Sequence, residues 1–129
     1  MTDGERAKVA YEARLLQAQA QSIEQQLLTL EGRMVEINAA VETLHSLGKQ
    51  DSVMVPAGAG VMLRAKLTDS DRVLADVGAG IAMEKSVKEA LELLQKRSDS
   101  MQKGIKQLRE ALEVVGGRMA ELQERAAKA

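Results

Sequence analysis

Residues 53–83 read VMVPAGAGVMLRAKLTDSDRVLADVGAGIAM, and how this stretch is read decides the fold. From Val61 to Leu67 polar and apolar positions separate with a period of two. Val61, Leu63, Ala65 and Leu67 fall on one face of a strand, and Met62, Arg64 and Lys66 on the other. Before it, Val53-Met54-Val55 is a short strand ended by Pro56, which has no N–H for a ladder, and Ala57-Gly58-Ala59-Gly60 makes the turn. Thr68-Asp69-Ser70-Asp71 is a polar turn, Arg72 to Val77 a third strand, Gly78-Ala79-Gly80 a second glycine turn, and Ile81 to Met83 a fourth strand. Two hairpins therefore occupy 52–83. A sheet of four short strands cannot close into a barrel, so it keeps unpaired edges and an uncovered apolar face. That predicts assembly with other subunits through Val61, Leu63, Ala65, Leu67, Val73 and Val77.

On either side of the hairpins runs a heptad pattern. Upstream, Val9, Ala13, Leu16, Ala20, Ile23, Leu27, Leu30, Met34, Ile37, Val41 and Leu44 follow by alternating steps of four and three. Downstream, Val87, Leu91, Leu94, Ser98, Met101, Ile105, Leu108, Leu112, Val115, Met119, Leu122 and Ala126 do the same, with Ser98 the one polar intruder. Such steps average about 3.5 residues and keep one apolar seam against a partner helix as the two supercoil. The first helix is expected over 2–48, opened by a Thr2/Glu5 capping box and closed at Gly48; the second over 86–127, opened by Ser86/Glu89. Helices of that length are on the order of 60 Å long. Because the hairpins reverse the chain, the fold class is mainly α: an antiparallel two-helix coiled coil carried on a small β segment, in one subunit spanning 1–129. In an antiparallel pair, g positions face g and e face e. Aligned ends bring Glu5 to Arg125, Glu12 to Arg118 and Glu24 to Arg109, all complementary, whereas Arg33 meets Arg97. Gly104 and Gly116-Gly117 interrupt helix propensity, yet the seam continues through them.

Composition narrows the function. Apolar residues make up 45% of the 129, but Phe and Trp are absent and Tyr11 is the only aromatic, a poor stock for a globular core and no obstacle to a coiled coil. The net charge of −1, spread over both helices, lacks the basic block that neutralises phosphates, so nucleic acid is not expected as a partner. With no cysteine, disulfide and thiolate chemistry are excluded. The opening MTDGERAKVA has no leader character and no stretch nears the ~20 apolar residues of a membrane span, so a soluble cytoplasmic protein without membrane contact is expected.

No catalytic, cofactor or metal site emerges. Residues 77–83 mimic a dinucleotide fingerprint, but Met83 stands where the third glycine belongs and the helix starts too late to receive a pyrophosphate; a hairpin turn explains them better. Asp69 and Asp71 resemble the start of a calcium loop, but Val73 occupies the next ligand position, so they are turn residues. His45 has no co-ligand and suits the last turn of a helix, solvated. No nucleophile sits beside a base, and an enzyme is not expected.

Three segments of the middle region carry a resemblance. Val55-Pro56-Ala57-Gly58-Ala59-Gly60, Arg64-Ala65-Lys66-Leu67-Thr68-Asp69-Ser70-Asp71-Arg72-Val73 and Asp76-Val77-Gly78-Ala79-Gly80-Ile81-Ala82-Met83-Glu84-Lys85 are similar to the core of the α-class subunits of the prefoldin family, most closely those of archaea. Two glycine-rich hairpins between equal arms, in place of one, mark the α class. The resemblance implies a hexamer of two α and four β subunits whose hairpins form a double β-barrel platform bearing six coiled-coil arms. It further implies that unfolded client proteins are held at the arm tips without ATP and passed to a cytosolic chaperonin. The family's client contacts follow no motif, so no individual binding residue carries over from the resemblance, and tip residues are read from the helix ends themselves. Ala13, Ala20 and Ala126 bury less area than Leu, which at ~25 cal/mol per Å² weakens pairing at that end. Fraying there would offer Val9, Leu16, Val115, Met119 and Leu122, beside Leu15 and Val114, which lie off the seam. The bland alternative is that alanines only draw the helices closer. The rival function is a structural coiled-coil spacer that builds filaments through its hairpins.

Overall fold

The computed structural model describes residues 2–47, 49 and 52–128. In chain order these form α1 (Asp3–Ser46), β1 (Ser52–Gly58), β2 (Val61–Lys66), β3 (Arg72–Asp76), β4 (Ala82–Ser86) and α2 (Val87–Ala127). Thr2 caps α1, its Oγ1 accepting the Glu5 N–H at 3.2 Å. The expected stop at Gly48 lies outside the described residues. At α2 the capping box closes in both directions. Glu89 N–H donates to Ser86 Oγ at 3.1 Å, and Ser86 N–H donates to Glu89 Oε1 at 3.3 Å. Ser86 is also the last residue of β4, so strand passes into helix with no loop.

The four strands do not make one sheet. Among the described residues β1 pairs only with β2 and β3 only with β4, as two separate antiparallel hairpins, which corrects the expected four-stranded sheet. β1 is also longer than expected. It runs on through Pro56, which sits opposite Met62, before a bulge between Pro56 and Gly58. A two-stranded hairpin has a free edge on each strand, and a residue without an N–H is tolerated there. β4 likewise extends past Met83 to Ser86. Both turns use the same Gly-Ala-Gly device, every residue at positive φ: Gly58 at 107°, Ala59 at 52° and Gly60 at 81°, then Gly78 at 117°, Ala79 at 54° and Gly80 at 73°. The two alanines occupy the left-handed region that glycine enters at least cost. Asp76 Oδ1 accepts the Gly78 N–H at 2.9 Å and Asp69 Oδ1 the Asp71 N–H at 2.9 Å, so these aspartates hold turns.

The chain divides into two compact units. One comprises Met1–Met34 with Asp99–Ala129, and here the two helices pair. Its buried apolar residues are Leu27, Ile105, Val115 and Leu122, the last only 2% exposed. The remaining seam positions of this unit, Val9 to Met34 and Met101 to Met119, are half-buried; Ala126 is exposed, so the seam closes at Leu122 rather than at Ala126. Gly104 has a packing role, because a Cβ there would lie 3.3 Å from Leu30 Cδ1. The antiparallel sense is fixed by Arg118, whose Nε donates to Glu12 Oε1 at 2.8 Å, as the aligned ends required. Arg109 departs from expectation. It pairs with Glu31 at 3.2 Å, one heptad beyond Glu24, a distance its long side chain can cover.

The other unit is Val35–Ser98, holding the end of α1, both hairpins and the start of α2. Ile37, Ala90 and Ser98 are buried, and Val41, Leu44, Val87, Leu91 and Leu94 half-buried. β3 is tied to α2 at both ends: Val87 N–H donates to the Asp71 carbonyl at 2.9 Å, and Arg97 Nη2 donates to the Asp76 carbonyl. That clamp covers Leu93, which is off the heptad seam yet half-buried.

Candidate functional site: a terminal groove and uncovered hairpins

Where the start of α1 meets the end of α2, the helices leave an apolar groove of about 410 Å³. Val9, Ala10 and Ala13 line it from α1, and Met119, Leu122 and Ala126 from α2, with Arg6 and Gln123 its polar wall. Its origin is the run of small seam residues: Ala13 and Ala126 do not fill the space that leucines would occupy, and underfilled apolar space is left open to solvent. Of the seam residues singled out for client contact, Val9, Met119 and Leu122 border this groove; Leu16 is half-buried and Val115 buried in the seam nearby. Leu15 and Val114 lie outside the pair, Val114 at 72% exposure. Arg118 braces the groove by bonding Glu12 across the pair and Glu121, at 2.9 Å, along its own helix. These bonds, that to Glu12 foremost, hold its guanidinium above the usual range.

The hairpins present a second unsatisfied surface. In the β1–β2 register Val53 faces Ala65 and Val55 faces Leu63, which continues the face that carries Val61 and Leu67. Ala65 is half-buried, but Val55, Val61, Leu63, Leu67 and Val77 are exposed. Val73 differs from the other assembly candidates. With Ala75 it lines a cleft of about 310 Å³ beside Ala40, Leu44, Ala90 and Leu93, so its side chain serves intramolecular packing. Its neighbour Leu74, 76% exposed and not singled out from sequence, is the exposed apolar residue of that strand. Met54, Met62, Ile81 and Met83 are exposed too. Strand alternation could have found Leu74 had the pairing of β3 with the helices been known.

A helix pair, two Gly-Ala-Gly hairpins and an apolar terminal groove suit an interaction protein. A model of the prefoldin subunit family matches residues 16–129. The chain belongs to the prefoldin family. Among curated relatives, the prefoldin subunit alpha of Pyrococcus horikoshii is 37% identical over 92% of this chain and 78% of its own length. That of Methanococcoides burtonii is 31% identical over 89% of this chain and 86% of its own. Among solved structures, filamentous PFD from Methanocaldococcus jannaschii superposes with a TM-score of 0.76 at 22% identity, covering 93% of this chain and 99% of that one. Two long helices joined by two small antiparallel hairpins are thus a prefoldin fold, and prefoldins are chaperones with coiled-coil arms. Among the described residues no helix is long and apolar enough to cross a membrane.

Proposed function

We propose that this chain is the α-type subunit of an ATP-independent holdase, which binds apolar segments of unfolded polypeptides at the paired helix ends and delivers them to a cytosolic chaperonin. The observation that carries this reading is the groove bordered by Val9, Ala13, Met119 and Leu122, in the same helix pair that exposes Leu15 and Val114 elsewhere on its surface. An unfolded chain offers isolated apolar side chains without fixed geometry, and a groove with a flexible thioether in its wall adapts to them. Assembly is through the hairpins, with prefoldin β-type subunits and a second α subunit in a hexamer of two α and four β. Membership of a chaperone family supports the reading.

Its test replaces Leu15, Val114 and Met119 together by Ser. Each large apolar side chain contributes ~1.5 to 3 kcal/mol when fully buried against a partner, so holding weakens while every hairpin residue is untouched. Aggregation of a denatured test protein is followed beside size-exclusion chromatography of the complex. An intact oligomer that protects as well as the unmodified one sinks the assignment of these residues.

A second reading is a structural filament subunit, favoured by the filamentous state of the Methanocaldococcus jannaschii neighbour. Electron microscopy of the chain without partner subunits separates the two: long regular fibres support the filament.

A further inference from the structure

Gly116 and Gly117 lie in α2 immediately before the stretch that forms one wall of the groove. A glycine inside a helix lowers helix stability by roughly 1 kcal/mol relative to Ala, and two ordinary reasons for keeping one are a left-handed backbone and a close approach by a neighbour. Neither applies here. Both residues have helical backbone rather than the positive φ of the turn glycines, and a Cβ added at either would meet nothing within 4 Å. Gly104 makes the contrast, since there a Cβ would press on Leu30.

What surrounds the pair gives it a use. Val115, directly before it, is buried and anchors the helix to α1, whereas residues 118–127 hold on by Met119, Leu122 and the Arg118–Glu12 ion pair. Ala126 adds no buried anchor. A detached segment that short is below the length at which an isolated helix is stable in water, so separation would loosen the whole end. Leu122, the most buried of the described residues, lies on the moving side. We propose that Gly116-Gly117 is a hinge at which residues 118–127 leave α1, uncovering Leu122, Met119 and Val9 to a client. This rests on the holdase reading and adds how its site opens.

The experiment uses the full chain assembled with its partner subunits. Gly116→Ala and Gly117→Ala are made together, and Gly32→Ala alone serves as the control, because Gly32 is also helical, is in the same unit and has open space at its Cβ. Hydrogen exchange of the 118–127 amides is measured beside protection of a denatured test protein. The expected result is exchange slowed about tenfold and protection weakened severalfold in the double variant, with both unchanged in the control. Unchanged exchange in the double variant overturns the hinge. Slowed exchange with full protection overturns its role in capture, as does an equal loss of protection in Gly32→Ala. An unmodified complex that protects nothing defeats the holdase reading instead, and the exchange data then judge the hinge alone.

Discussion

Ser86 and Glu89 act where β4 becomes α2, and their reciprocal bonds, with the bond from the Val87 N–H to the Asp71 carbonyl, order the first turn of a helix with no preceding loop. The Ser86 backbone N–H, then its hydroxyl, then the charges of Lys85 and Arg72, hold the Glu89 carboxyl below its ordinary value of 4.5. A carboxylate with a depressed folded value stabilises the fold above its unfolded value, and that contribution is lost as pH falls through the folded value. Glu89→Gln keeps a side chain able to cap but removes the charge. Thermal melts should therefore place Glu89→Gln below the unmodified chain at neutral pH, with the gap closing below pH 4.5. A gap independent of pH would refute the charged capping box. Ser86→Ala removes the cap itself and should cost ~0.5 to 2 kcal/mol, readable in the same melts.

Element by element, the helices were legible because one rule governs them. Among the described seam positions only Ala126 is exposed: an apolar repeat of 3.5 is buried by pairing two helices, and Tyr11 is the only aromatic residue from which any other core could be built. Charge matching carried the register as far as Glu12 and Arg118, and these positions supply the check. Cysteines at 12 and 118 should join within one chain under a short thiol crosslinker, whereas products found only between chains would refute the intramolecular pair. Arg109 departs from the aligned pairing because a long flexible side chain chooses among acids a heptad apart, a choice that periodicity does not encode. The hairpins were legible from their glycines and alternation, but the course of β1 through Pro56 was not. The rule that proline ends a strand assumes neighbours on both sides, and β1 has only one. The separation into two sheets was hidden for a related reason: period two reports which residues share a face and is silent on which strands pair. The groove was readable only as a weakness of alanine in the seam, since its volume depends on how the helices settle around Ala13.

For the molecule as a whole, the hairpins expose more apolar side chain than an isolated subunit can carry without consequence. Val55, Val61, Leu63 and Leu67 from one hairpin and Leu74, Val77, Ile81 and Met83 from the other are all exposed. A surface of that kind marks an interaction site, and the free edges of two-stranded hairpins add unpaired backbone groups that a neighbouring subunit can satisfy. Leu63 is the most telling position because it faces Val55 across the ladder and shares its face with Val61, so one charge there reaches the middle of the β1–β2 apolar face. Leu63→Asp leaves the seam and both capping boxes intact, while each copy in an interface loses ~1.5 to 3 kcal/mol of apolar burial and takes on an unpaired carboxylate. Sedimentation velocity should then find the prefoldin complex dissociated, with circular dichroism still reporting the full helical content. A complex of unchanged mass would mean that assembly runs through other residues, with the face around Leu74 on β3 the next to be altered in the same way.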